Sequence, residues 1–430
     1  MEKDPVFTVD PSLIQRIPSI NEINCGHNSI IMEKEPGMVA ASLLALVCII
    51  IAPFITPAWL LSLFVILICA LLFLVKKSLY TSFSIAVIAA LYGIGVIPLV
   101  VFSTTFAIII LGEAAYRIGG RNHAGYIPFT VVATASAFLV MLYSGYNEPL
   151  VAITGVVVAL ILHSALGERN DKVFIETLGV AMTMLLFYEI DFTVDFTLLA
   201  TAVVIAFAFG YFSYRMKAAD LPGIFAAILL GILLIVFADV TWFLVMLAFF
   251  IMGSAMTRYR YDAKTKMGVA EGHGGVRGYF NVFANGLAGV AAAVLFGITG
   301  DPAYTAFYLG SVGCATADTL ASEVGVTGGT PRLITTLRQV PCGTNGGVTL
   351  KGEVAGTAGA FILGVIAYLL GVADVTLLVI TTLGGFVGTN IDSLIGALWE
   401  NKGIFGNAGT NFLATLLAGL FAMGVYILLV

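Results

Sequence analysis

Runs of roughly 20 mostly apolar residues, the length one bilayer crossing needs, follow one another from Met38 to Val430 with short polar breaks. In lipid, each run must satisfy its own backbone hydrogen bonds, so such runs fold as helices. Charged residues make up 10% of the chain, against about 25% in soluble proteins, which excludes a soluble domain. The expected fold class is therefore all-α, a polytopic transmembrane helical bundle of about 15 spans. The runs cover approximately 38–57, 59–75, 79–95, 97–115, 126–143, 148–166, 173–189, 194–214, 222–238, 240–256, 279–299, 303–323, 353–371, 374–396 and 409–430. The stretch from Pro222 to Met256 is too long for one crossing and turns at Asp239.

Beyond Lys3, Arg16 and Lys34 in the polar tail, Lys and Arg fall only after even-numbered spans: at Lys76–Lys77, Arg117 and Arg121, Arg169 and Lys172, Arg215 and Lys217, the 258–277 loop, Arg332 to Lys351, and Lys402. The odd connections, such as SGYNEP, EID, GDP and GVAD, carry neither. The positive-inside rule then sets the N-terminus in the cytoplasm and the C-terminus outside the cell membrane. It also puts the polar loops discussed below at the cytoplasmic face, where nucleotides are. Residues 1–37 read as a cytosolic tail, and no signal peptide is expected. The net charge of −5, without a basic stripe, argues against nucleic acid. Cys25, Cys48, Cys69, Cys314 and Cys342 show no C-x-x-C pairing, so neither a disulfide framework nor a zinc site is expected.

Two stretches carry acids inside oily surroundings. In GCATADTLASEVGVTGG, Gly313 to Gly329, helical spacing sets Asp318, Ser322 and Gly325 on one face. In LGGFVGTNIDSLIGALWE, Leu383 to Glu400, Gly385, Gly388, Asp392 and Gly396 form a second stripe of small residues around an acid. Small residues let helix backbones approach closely, and an acid at membrane depth is costly enough to imply a task. Asp318 and Asp392 therefore read as one site, holding Mg²⁺ and nucleotide phosphates. Glu323 is a third candidate carboxylate, although an unbroken helix points it away from Asp318.

Two inner loops add polar groups. In EGHGGVRGYFNVFANG, Glu271 to Gly286, glycine backbone and Arg277 can cradle an anion, while Asn281 and Asn285 share a helical face. The plainer account is a basic loop resting near anionic headgroups, and His273 reads as a loop residue. In PCGTNGGVTLKGE, Gly343, Thr344, Asn345, Gly346 and Gly347 can line phosphates, with Lys351 as a point charge. The spacing is not that of a Walker loop. Asn390 and Ser393, flanking Asp392, complete the expected substrate-binding set.

Earlier in the chain, GEAAYRIGGRNHAG repeats the second-half pattern in outline, Glu113 matching Asp318 and Gly120 matching Gly325. A hairpin and an acidic loop, GERNDK with Glu168 and Asp171, follow it, as Asp392 follows Asp318. This suggests an internal duplication in one orientation, the alternative being chance recurrence of Gly-acid turns. The expected division is a tail (1–37), an N-terminal membrane half (38–215) and a C-terminal membrane half (216–430). Glu189, Asp191, Asp195 and Asp239 read as acids of solvated turns.

From Ala218 to Val430, four ordered pieces, RGYFNVFANG, ATADTLASEVG, PCGTNGGVTLKGE and NIDSLIGALWE, resemble an integral membrane family whose plant members include the phytyl-phosphate kinase of tocopherol synthesis. GEAAYRIGGR is similar to the Gly-Asp…Gly-Arg motif of dolichol kinase and phytol kinase, with Glu113 where that motif has Asp. The resemblance implies an isoprenoid-metabolism transferase, a kinase moving a phosphoryl group from CTP or another NTP to a prenyl monophosphate. On that reading Asp318 and Asp392 hold Mg²⁺, and Arg277, Lys351 and residues 343–347 bind phosphate oxygens. Two other readings use similar groups. One is a cytidylyltransferase making a CDP-lipid. The other is a secondary transporter, whose sites lie near the bilayer midplane rather than near helix ends.

Overall fold

The structure is a computed structural model that describes residues 35–76, 79–167, 169–190, 192–270 and 275–430. The tail up to Lys34, together with Glu168, Asp191 and His273, lies outside the described residues. The remainder is almost wholly helical. In order come α1 (Glu35–Ile51), α2 (Ala58–Lys76), α3 (Leu79–Gly93) and α4 (Leu99–Ile118). They are followed by α5 (Tyr126–Tyr143), α6 (Pro149–Leu166), α7 (Lys172–Ile190), α8 (Phe196–Arg215), α9 (Leu221–Phe237) and α10 (Val240–Arg258). Then come the short α11 (Tyr261–Lys266), α12 (Tyr279–Thr299), α13 (Ala303–Gly325), α14 (Leu350–Leu369), α15 (Val375–Leu398) and α16 (Asn407–Leu429).

Each predicted apolar run coincides with one of these helices. Among the described residues, ten are long and apolar enough to cross a membrane by length and composition, fewer than the fifteen or so expected. Four more are apolar but shorter. The remaining one, α13, has 23 residues, but small and polar ones stand where oily ones would. The predicted turn at Asp239 is where α9 gives way to α10, and Asp239 accepts from Thr241 N at 2.8 Å. Asp195, Asp220 and Asp374 cap α8, α9 and α15 in the same manner. Asp195 and Asp239, read as turn acids, thus satisfy helix-end N–H groups that would otherwise lack partners.

The described chain divides into two compact units, one up to Ser136 and one from Ala137, with the division inside α5. In the first unit, α2 packs on α3, and α4 is buried from Val100 to Ile110 with a wide π turn over Ala107–Leu111.

The second unit is organised around α13, which packs against α10, α12, α14, α15 and α16. Small residues allow this. A Cβ on Gly313 would lie 2.9 Å from Thr381 O, and one on Gly385 would lie 3.0 Å from Gly313 O, so α13 and α15 touch backbone to backbone. Tyr308 on α13 stacks on Trp242 of α10 at 4.4 Å and donates its hydroxyl to Trp242 O at 2.6 Å. One feature departs from the all-helical expectation. Between α13 and α14, β1 (Arg332–Leu333) pairs antiparallel with β2 (Gly347–Val348), Leu333 opposite Gly347.

Candidate functional site

Below the glycine contact, α13 and α15 carry their acids to one place. The carboxylates of Asp318 and Asp392 come within hydrogen-bonding reach of each other. Thr389, one turn before Asp392, donates to Asp318 Oδ1 at 3.5 Å. Asn411 on α16, with its amide nitrogen toward Asp392, donates to Oδ2 at 3.2 Å. Two half-buried carboxylates this close favour either a shared proton or a bound cation.

The pair opens onto a polar cavity of about 480 Å³. Most of the predicted set lies on its wall: Arg277, Asn281, Asn285, Glu323, residues 343–347 and Ser393. Two members do not. Lys351 turns to donate to Thr327 Oγ1 at 2.8 Å. Asn390 is not on the wall and donates to Glu353 Oε2, which is, at 3.1 Å. The cavity also recruits groups that the sequence reading passed over: Glu353, Glu400, Asn407 and Asn411. Asn407 and Asn411 open the apolar run of α16 at the i, i+4 spacing that had singled out Asn281 and Asn285.

The glycine-rich segment is fastened to α15 on the face that bears Asp392. Gly396, one turn beyond Asp392, leaves room for it, and a Cβ there would lie 3.2 Å from Gly346 N. Gly346 itself has φ +79°, and a Cβ on it would lie 2.5 Å from Ser393 O. The segment is pinned further by Ile334 N to Gly346 O at 2.9 Å and Asn401 Nδ2 to Asn345 O at 3.0 Å. Backbone N–H groups on such a rigid turn suit an anion.

Glu323 lines the same cavity, but its carboxylate receives the ammonium of Lys264, a fully buried residue from the basic loop. Arg277 is also buried. Its backbone is clamped to the segment before α9, donating to Ala218 O at 3.1 Å and accepting from Asp220 N at 3.0 Å.

Glu113, in the first unit, accepts from Arg117 Nε at 2.7 Å. Asp171, in an exposed connection of the second unit, is held by Arg169 at 2.8 and 2.9 Å. That bond keeps the Asp171 carboxyl below its usual range.

Among the described residues, no three of His, Cys, Asp and Glu converge as a metal-ligand group. Mg²⁺ does not require one, since it is commonly held by one or two carboxylates with the rest of its shell from water and phosphate. The Asp318–Asp392 donor set fits that mode.

Residues 204–419 match the family described as integral membrane protein DUF92. An uncharacterised membrane protein of Methanocaldococcus jannaschii is 33% identical over 239 residues, 55% of this chain and 98% of that protein. Protein PGR of Arabidopsis thaliana is 32% identical over 47% of this chain and 79% of its own length. Protein VTE6, chloroplastic, of the same plant is 34% identical over 42% of this chain and 56% of its own length. No solved structure matches. The family match and the Methanocaldococcus jannaschii alignment support an integral membrane protein.

Proposed function

The chain belongs to the DUF92 family of integral membrane proteins, and on that footing we propose that it is a membrane prenyl-phosphate kinase, using CTP or another NTP. The observation that carries this reading is the Asp318–Asp392 pair on the wall of a polar cavity, with a glycine-rich turn fastened to the same helix face. The resemblance of the four motifs to the phytyl-phosphate kinase family supports the choice of acceptor, and the distribution of Lys and Arg supports a cytoplasmic site.

In the proposed reaction, a phosphate oxygen of the prenyl monophosphate attacks the γ-phosphorus of the nucleotide. The new P–O bond forms as the bond to the β–γ bridging oxygen breaks, and the nucleoside diphosphate leaves with that electron pair. The attacking oxygen is already ionised, so no strong general base is needed. Catalysis then rests on in-line placement and charge neutralisation. Asp318 and Asp392 would hold Mg²⁺, whose charge screens the phosphates. The turn at Gly343–Gly347 would bind nucleotide oxygens through backbone N–H groups, and Arg277 with Asn281 and Asn285 would hold the acceptor phosphate. Lys351 and Asn390 support the site from outside the cavity wall.

Purified full-length protein, incubated with CTP, Mg²⁺ and a panel of prenyl monophosphates, tests this by the mass of the lipid product. The expected product is the prenyl diphosphate. A CDP-lipid would identify a cytidylyltransferase instead, and an unchanged lipid would favour transport.

A further inference from the structure

A second, apolar cleft of about 50 Å³ lies between α8, α9, α10 and α12, and it shares part of its wall with the polar cavity. Arg277, Asn281 and Asn285 line both spaces. On the apolar side the wall is aromatic. Phe209 on α8 meets Phe243 and Phe250 edge-on at 5.8 and 5.3 Å. Interlocked rings of this kind resist widening, because each must move with its partners.

Arg277 stands at the junction. Its guanidinium lies over the rings of Phe249 and Phe250, 5.2 and 5.4 Å from their centroids. Gly253 leaves the space that the guanidinium fills, and Gly223 leaves the space taken by its backbone carbonyl. A cation so placed is held in advance of binding, with one side against aromatic carbon and the other on a polar cavity.

We propose that the two spaces are one binding site for a single-chain lipid phosphate, with its phosphate at Arg277 and the first carbons of its chain in the α8–α9–α10–α12 cleft. The phosphate assignment rests on the phosphoryl-transfer reading, whereas the tail site rests on the cleft alone. A cleft of about 50 Å³ has room for one slender chain and not for the paired chains of a diacyl lipid. The remaining carbons would continue outward between the helices. The chain would thereby set specificity, and Arg277 would set how deep the head enters.

The test uses purified full-length protein in detergent and a geranylgeranyl monophosphate bearing a photoreactive diazirine on the isoprene unit next to the phosphate. Peptide mapping should find the label on the cleft-lining residues of α8, α9, α10 and α12. Unlabelled geranylgeranyl monophosphate should compete at least tenfold better than dioleoyl phosphatidic acid or geranylgeraniol. Ala227→Trp, which fills the cleft wall, should cut labelling at least tenfold while Mg²⁺-dependent CTP binding, read separately to show the fold intact, stays within twofold. Ala227→Ser should label normally. Label on other helices, equal competition by phosphatidic acid, or undiminished labelling of a CTP-binding Ala227→Trp protein would overturn the proposal. Label in the cleft without formation of diphosphate would instead sink the kinase reading and leave the tail site standing.

Discussion

The ammonium of Lys264 is buried against the carboxylate of Glu323 and also donates to Met256 O at 3.1 Å and Thr257 O at 2.7 Å. All three ammonium protons are thereby used. The arrangement caps the C-terminal carbonyls of α10 and ties the basic loop to α13 beside the cavity. Removing one partner leaves the other charge buried and uncompensated, which costs about 3–5 kcal/mol. Lys264→Met should therefore lower the unfolding temperature sharply in detergent. The double variant Lys264→Met with Glu323→Leu should recover most of the loss. If the single variant unfolds like the parent, the pair is not structural.

Gly346 holds the glycine-rich turn against α15 with φ +79° and no room for a Cβ beside Ser393 O. Gly346→Ala adds about 1–2 kcal/mol of backbone strain and a steric conflict at the contact. CTP affinity is expected to fall on the order of tenfold, with the helical circular dichroism signal retained. Unchanged nucleotide affinity, measured by equilibrium binding, would remove the turn from the nucleotide site.

Arg277 and Lys351 had been assigned the same task by sequence, yet only Arg277 reaches the cavity wall. Hydrogen bonds to charged groups are worth about 1.5–3 kcal/mol, so Arg277→Met should reduce kcat/KM roughly ten- to hundredfold. Lys351→Met, which loses a bond to Thr327 on an exposed surface, should change it by less than about threefold, in keeping with exposed polar contacts. Equal effects in steady-state assays would contradict this placement.

The helices were legible because each apolar run is about one bilayer crossing long, and the shared cavity wall of Asp318 and Asp392 because both acids sit on stripes of small residues at helical spacing. The rest depended on contacts that no local pattern encodes. Lys264 looked like any cation of a basic loop, and its partner Glu323 lies 59 residues away. Glu353 sits in the first turn of α14, where it had been taken as the end of a loop. Asn411 had a usable signal, its i, i+4 spacing from Asn407, which the apolar run around it obscured. Lys351, expected as a phosphate ligand, donates to Thr327 instead and lies off the cavity wall, because the first turn of α14 directs it there.

Glu113 tests whether the first unit takes part in catalysis. Its carboxylate is bound to Arg117 one turn on, at 2.7 Å, and such i, i+4 pairs are worth about 0.3–0.5 kcal/mol. Glu113→Gln should reduce turnover by less than about tenfold. A loss as complete as that expected below for Asp318 would bring the first unit into the active site.

Catalysis in the proposed reaction rests on the paired carboxylates. Asp318→Asn and Asp392→Asn keep side-chain shape and remove one charge each. If the pair holds Mg²⁺ against the phosphates, several kcal/mol of stabilisation are lost, on the order of 10³-fold or more in rate. The measurement is prenyl diphosphate formation from CTP and a prenyl monophosphate, by mass, for the parent and both variants at equal folded concentration. The expected result is abundant diphosphate from the parent, loss of at least about 10³-fold in each variant, and loss in the parent when Mg²⁺ is chelated. Diphosphate formed by Asp318→Asn or Asp392→Asn at near-parental rate would contradict it.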